Sequence, residues 1–429
     1  MRAWRSRGGL VRRAGEGATR VRPPRFRSPL RGPWLTSVLG AVLLAGLPLV
    51  VVTGLLDYVA YGPGQGIPAD VGPLRLPAFD WPARPSWLFQ LTQGLHVVLG
   101  LVLVPVVLAK LWSVIPKLFA WPPLRSVTHA LERVSLLLLV GSILFEIVTG
   151  LLNIQYDYAF GFSFYTGHYL GAWVFIASFV AHVALKLPRM VRGLRSRSLR
   201  AELATPLSRT EPEPPDDTGL VAEEPASPTL SRRGLLGAVG GGALLIGVLT
   251  AGQVVGGPLR DAALLLPRGR EPGEGPNGFA INKTAAAAGI TAAATGATWR
   301  LALTGVTGRL LTREELLALP QHTARLPIAC VEGWSTVQEW TGVRLRDLAA
   351  LTEVSEPPSA HIASIEDGPF ATATLTGGQV ADPDALLAVR VNGADLSLDH
   401  GFPARIIVPA LPGVHCTKWV RSIDFASAP

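Results

Sequence analysis

Charge and cysteine are both scarce in this chain of 429 residues. Charged residues make up 16 % of it, against about 25 % in a soluble domain. That shortfall excludes a wholly soluble, charge-coated globule. Two cysteines, Cys330 and Cys416, are too few for a disulfide scaffold. Acidic residues are scarcest where the chain is most basic: residues 1–33 hold ten Arg and one Glu. The net charge of +8 nevertheless does not point to nucleic acid. From 275 onward, 11 Lys and Arg face 14 Asp and Glu, and no basic stripe carries interleaved aromatics. No nucleic-acid partner is expected.

What is abundant is apolar sequence, at 48 %. Runs of about 20 residues mark membrane-spanning helices, and five are read near 35–59, 87–112, 130–153, 166–187 and 234–255. Arg-rich flanks belong inside. This places residues 1–33 in the cytoplasm as a basic disordered tail. The loops then alternate, with Lys110, Lys117 and Arg125 inside and 154–165, free of Lys and Arg, outside. Residues 34–190 form a four-helix transmembrane domain, and 191–230 a disordered cytoplasmic linker carrying EPEPPDD and EEPASP. Residues 231–256 form the fifth helix, and 275–429 an extracytoplasmic domain of short alternating segments, α+β in class. A multi-pass protein of a bacterial cell membrane, embedded in its lipid bilayer, is expected.

Four of the eight histidines lie in or beside helices two to four: His96, His129, His168 and His182. Ionisable groups at membrane depth are functional by default. His168 and His182 are 14 residues apart, nearly four helical turns, so both face one side at about 21 Å separation. Helix direction pairs His96 with His168 near the outer surface and His129 with His182 near the inner one. Each pair can supply two axial imidazoles to a b-type haem. Gly94, Gly100 and Gly171 stand near these ligands and would let a porphyrin approach. Together with Thr149-Gly150-Leu151-Leu152, these segments resemble the four-helix dihaem b cytochromes of hydrogenases and formate dehydrogenases. The resemblance implies electron exchange with quinone or quinol.

In the C-terminal domain, Thr312-Arg313-Glu314-Glu315 reads as a capping box opening a helix. Strands are expected at 299–303, 325–330, 361–365, 371–375, 387–391, 404–408 and 418–425, and a second helix at 345–351. A lone Cys330 reads as a small buried hydrophobe or as half of a disulfide with Cys416. Its context, Cys330-Val331-Glu332-Gly333-Trp334-Ser335, then Trp340-Thr341-Gly342-Val343 and Leu345-Arg346-Asp347-Leu348, resembles the molybdopterin domain of the sulfite oxidase family. So do Ile281-Asn282-Lys283-Thr284, the run from His400 to Pro409, and Lys418-Trp419-Val420. The likeness is nearest the periplasmic methionine sulfoxide reductase branch. It implies Cys330 as the one protein ligand to molybdenum, a soft thiolate in a thiol-rich site. Glu332 and Asn282 then lie beside the metal, and His400, Arg405 and Lys418 near the pterin and its phosphate. No Cys-Ala-Gly-Asn sequence and no Arg cluster follows the Cys, and 354–385 matches nothing assignable to a substrate.

Ser231-Arg232-Arg233 opens the fifth helix and reads either as a positive-inside anchor or as a twin-arginine export signal. A domain that receives a large cofactor before export favours the second. The expected whole is a fusion in which quinol, two b-type haems and molybdenum on molybdopterin act in series. It would reduce a small-molecule or methionine-sulfoxide substrate. Oxidation of a sulfite-like donor is the reverse alternative, and a haem protein with a non-catalytic docking domain is the non-enzymatic one.

Overall fold

The computed structural model describes residues 26–62, 77, 79–119, 127–153, 161–215, 219–265, 273–368 and 371–425. At 118, 128, 129, 132, 257 and 258 it describes the backbone alone. Within those residues, a helical N-terminal region precedes a sheet-containing domain. Five helices are long and apolar enough to cross a membrane: α1 (Pro33–Tyr61), α2 (Leu88–Leu118), α3 (Val127–Asn153), α4 (Phe164–Ser196) and α6 (Arg232–Val255). A short α5 (Leu199–Ala204) separates the last two. α1 packs against α2 and α4, α3 against α4, and α6 against α2. Leu131, Leu137, Leu185 and Leu244 are more than 60 % exposed on the outer faces, an arrangement that suits lipid rather than water.

Two expectations about the chain between helices need correction. Of residues 191–230, expected to be a disordered linker, 191–196 lie inside α4 and 199–204 form α5. Glu202, on α5, pairs with Arg197 (2.5 Å) and with the buried Arg232 (3.3 Å). Glu213 accepts hydrogen bonds from the amides of Trp34 (2.8 Å) and Leu35 (3.4 Å) at the start of α1, where a negative charge suits the helix dipole. Gly32 permits this, since a Cβ there would stand 2.3 Å from the Glu213 carboxyl carbon. The acidic composition read as disorder is thus partly spent on specific cationic and helix-end partners. The disordered basic tail is corrected only at its end, where Arg31 lies 4.3 Å over the Trp112 ring. Residues 1–25 lie outside the described ones, as do Arg125 and most of the 154–165 loop.

The domain after α6 holds two sheets. In the first the order is β2-β1-β10-β5-β6, using β1 (Leu301–Thr304), β2 (Arg309–Leu311), β5 (Ser359–Ser364), β6 (Thr372–Thr376) and β10 (Val420–Asp424). In the second it is β3-β4-β7-β8, with β9 also on β7; these are β3 (His322–Ala329), β4 (Ser335–Arg344), β7 (Leu386–Val391), β8 (Ala394–Asp395) and β9 (Arg405–Ile407). All pairings are antiparallel except β1 with β10. The Thr312 capping box forms, opening a helix at Arg313–Ala318. β4 is the long strand that alternation did not reveal. Its Gly342 lies where a Cβ would meet the Leu387 carbonyl at 2.1 Å, so a residue poor in strand propensity is there for close backbone approach.

One hydrophobic cluster joins the halves. It runs from Val59, Tyr61, Trp81 and Phe89 into Leu345, Leu387, Ile406 and Phe425 of the sheet domain. Polar ties reinforce it: Trp81 Nε1 donates to the Ala410 carbonyl (2.6 Å), and Arg84 reaches Asp382 (3.1 Å) and Asp384 (2.7 Å).

Candidate active site and helical cavity

β3 delivers Cys330 to a tight turn before β4. The Cys330 amide donates to the Trp334 carbonyl (2.9 Å), and the Gly333 amide to the Cys330 carbonyl (3.0 Å). Gly333 has φ +88°, a conformation that glycine alone adopts freely. The turn presents the thiol to a pocket lined by Phe279, Asn282, Cys330, His400, Arg405 and Lys418, among others. Five of the six residues expected at the molybdenum site therefore share one wall. The sixth, Glu332, is buried behind the turn and accepts a hydrogen bond from Trp334 Nε1 (2.8 Å). Cys330 and Cys416 are both free, so the disulfide alternative is not formed.

The pocket is cationic at its base. Arg405 donates to the carbonyls of His400 (3.0 Å) and Cys416 (3.1 Å), and its Nε is buried without a partner. Lys418 donates to the carbonyls of Lys283 (2.7 Å) and Asp399 (2.8 Å). Neither cation pairs with a carboxylate among the described residues. Burial lowers Arg405 to about 10 and, with Arg405 beside it, Lys418 to about 7. Two buried cations satisfied mainly by peptide carbonyls form a site for an anion. His400 stacks on Phe279 at 3.8 Å and bonds the Asn277 carbonyl (2.9 Å); burial, then Arg405, depress it to about 3. Burial pushes the Cys330 thiol up, so forming the thiolate needs a bound cation. Among the described residues no three His, Cys, Asp or Glu converge as metal ligands. A metal here would take its remaining ligands from a cofactor. The free space is about 10 Å³, about one water, so lining residues would have to move for a pterin to enter. The donors fit that group: one thiol, two cations and an unpaired guanidinium N–H.

Sequence reasoning missed the backbone of Trp419. The residue has φ +52°, unusual for a bulky residue, and immediately follows Lys418. Such strain concentrates at functional sites; the Lys418-Trp419-Val420 motif marked the residue but not its backbone.

Within the helices lies a cavity of about 200 Å³ containing His96 and His168. Their rings stand 6.0 Å apart between centroids and perpendicular. His96 Nδ1 donates to the Val50 carbonyl (2.9 Å); His168 Nδ1 lies 2.9 Å from Thr149 Oγ1 and 3.2 Å from Glu146 Oε2. These bonds engage Nδ1 and leave Nε2 as the nitrogen available to a ligand. With metal–nitrogen bonds of about 2.0 Å, two axial imidazoles have centroids roughly 6 Å apart, so the pair suits one haem iron. The glycines against the rings are Gly54, whose Cβ would lie 2.6 Å from His96, and Gly150, at 3.3 Å from His168. Gly94 instead faces Val254 of α6, and Gly171 faces Glu146 and Phe145; of the three expected, Gly100 lines the cavity. That corrects the roles of Gly94 and Gly171. His182 is half-buried on α4. The His129 side chain lies outside the described residues, so the inner pair rests on spacing alone.

The cavity reaches Val331, the residue after Cys330. Residues 288–429 match the family described as an oxidoreductase molybdopterin-binding domain. An uncharacterized oxidoreductase, YuiH of Bacillus subtilis, is 35 % identical over 130 residues, 30 % of this chain and 65 % of its own length. A nitrate reductase [NADH] of Volvox carteri is 31 % identical over 26 % of this chain and 17 % of its own length. The mitochondrial sulfite oxidase of Rattus norvegicus is 29 % identical over 30 % of this chain and 29 % of its own length. The chain thus spans less than two thirds of each of these relatives. Its C-terminal part is a molybdopterin-binding oxidoreductase domain. More particularly, that domain is of the sulfite oxidase family, homologous to sulfite oxidase and nitrate reductase.

Proposed function

We propose that the chain is a membrane-anchored molybdopterin oxidoreductase whose helical half carries b-type haem and exchanges electrons with quinone. The observation that carries this reading is the His96–His168 cavity, which ends at the residue following Cys330. Molybdenum on the pterin dithiolene, when bound, supplies two-electron oxygen-atom transfer. Cys330 would hold the metal, Arg405 and Lys418 the phosphate, and Asn282, Glu332 and His400 the surroundings of the metal and pterin. Burial of these groups excludes water from the reacting centre.

His129 and His182 would hold a second haem toward the inner face. Electrons would run from quinol through the haems to a sulfoxide, or to another oxidised small molecule or methionine residue. The missing Arg cluster after Cys330 favours this over oxidation of a sulfite-like donor. The sheet domain would lie outside a bacterial cell membrane. Export through the twin-arginine route would require Arg232 to be read before it packs against Glu202. Pyridine haemochrome and metal analysis of the purified chain test the whole reading. Haem with stoichiometric molybdenum supports it. Molybdenum without haem removes the electron-transfer half, and haem without molybdenum leaves a docking domain.

A further inference from the structure

We infer that Gln93 is the positioning residue for electron transfer between the two halves, holding the Val331 peptide, and with it Cys330, against the histidine cavity. The inference rests on the haem reading above. Gln93 is buried and precedes His96 by three residues on α2, so the two side chains share a face. Its Nε2 donates to the Val331 carbonyl (3.2 Å). Val331 lines the helical cavity while Cys330 lines the cationic pocket. A single peptide unit therefore separates the two walls.

The surrounding joint is built from the same elements. Gln90 Nε2 on α2 and Ser335 Oγ on β4 both donate to the Val254 carbonyl at the end of α6 (3.1 and 2.9 Å). Gly94 lets that end seat, since a Cβ there would stand 2.4 Å from Val254 Cγ1. α2, the end of α6 and the β3–β4 turn thus meet at one point. Among these polar ties, that of Gln93 alone ends on the peptide next to Cys330. In the step it would serve, one electron would pass from a group held at His96 and His168 to a group held at Cys330. No bond breaks, and Gln93 itself exchanges nothing.

The test uses the full chain carrying haem and molybdenum. The haem is reduced by a light pulse and its reoxidation is followed optically, with both midpoint potentials measured separately. Gln93→Leu is expected to slow transfer about tenfold, equivalent to about 1.4 kcal/mol in the barrier, with spectra and potentials unchanged. Amide exchange in residues 329–335 should quicken. Gln90→Ala loosens the same joint without touching Val331 and should transfer near the parent rate. If Gln93→Leu does not accumulate, the near-isosteric Gln93→Met carries the same test. A parent rate in the Gln93 variant, or equal slowing in Gln90→Ala, overturns the inference while leaving the haem reading intact. Absence of haem from the parent protein overturns both.

Discussion

The helical half and the sheet half solve opposite problems. The helices turn leucines outward and bury acids beside the histidine cavity: Asp57 is buried and lines it, as does Glu146, one of whose oxygens has no hydrogen-bond partner among the described residues. The sheet domain buries the cations Arg405 and Lys418 beside its candidate site. Burying polar groups that lack full hydrogen bonding costs about 1–3 kcal/mol each, so neither interior is explained by packing. In each half the unpaired groups border the residues that would hold a cofactor. The two halves should therefore respond independently to loss of their ligands and jointly to loss of their contact.

The largest effect is expected at Cys330. Cys330→Ser exchanges a soft thiolate for a weakly acidic hydroxyl, so molybdenum content and turnover should fall to background while the haem spectrum is kept. Cys416→Ser should retain the metal and change stability by about 1 kcal/mol. Equal destabilisation of both variants with metal retained would contradict the ligand assignment.

His96→Ala breaks the other half. It should remove the outer haem, leave molybdenum in place and leave any inner haem on the His129/His182 pair. A haemochrome assay with full haem content in this variant would separate His96 from the site. Gly54→Val, which crowds His96, should weaken the same haem without touching molybdenum.

A smaller effect concerns pH. Burial depresses His415 to about 4, whereas the unfolded chain protonates near 6.5. Between these values the unfolded state binds the extra proton, so stability falls as pH drops from 6.5 toward 4. The loss amounts to about 3 kcal/mol at the lower end. The thermal midpoint of the sheet domain should fall over that interval, and His415→Gln should lessen the dependence, leaving the share of His400, which burial also depresses. A midpoint equally pH-dependent in the variant would remove His415 as its source.

The smallest effect on stability is expected at Arg233, which is exposed where Arg232 is buried. Arg233→Lys should leave the thermal midpoint unchanged and, on the twin-arginine reading, strand the sheet domain on the inner face. Protease access from outside reports it. Full access would make the pair an ordinary topology signal.

Much of this was legible because it depends on periods and short motifs. Helix direction paired His96 with His168, and the Cys330 context indicated the oxidoreductase domain. The ordered stretch after α4 was not legible, because acidic, proline-rich sequence reads as solvated until the distant Arg232 and the start of α1 are brought to it. β4 escaped because its Gly342 answers to the neighbouring Leu387 carbonyl rather than to its own propensity. Gln90 and Gln93 did carry a signal, as polar residues spaced three apart at the start of an apolar run, but their acceptors lie over 150 residues away.

By itself, the sequence determined the five apolar helices, the histidine spacing and the cysteine turn. These follow from local hydrophobic period, helical rise and the conformational freedom of Gly333. Tertiary structure alone decided that the Val331 peptide abuts the histidine cavity and that Gly54 rather than Gly94 faces His96. Each depends on which surfaces meet when separate apolar faces are buried together, and no local pattern encodes that choice.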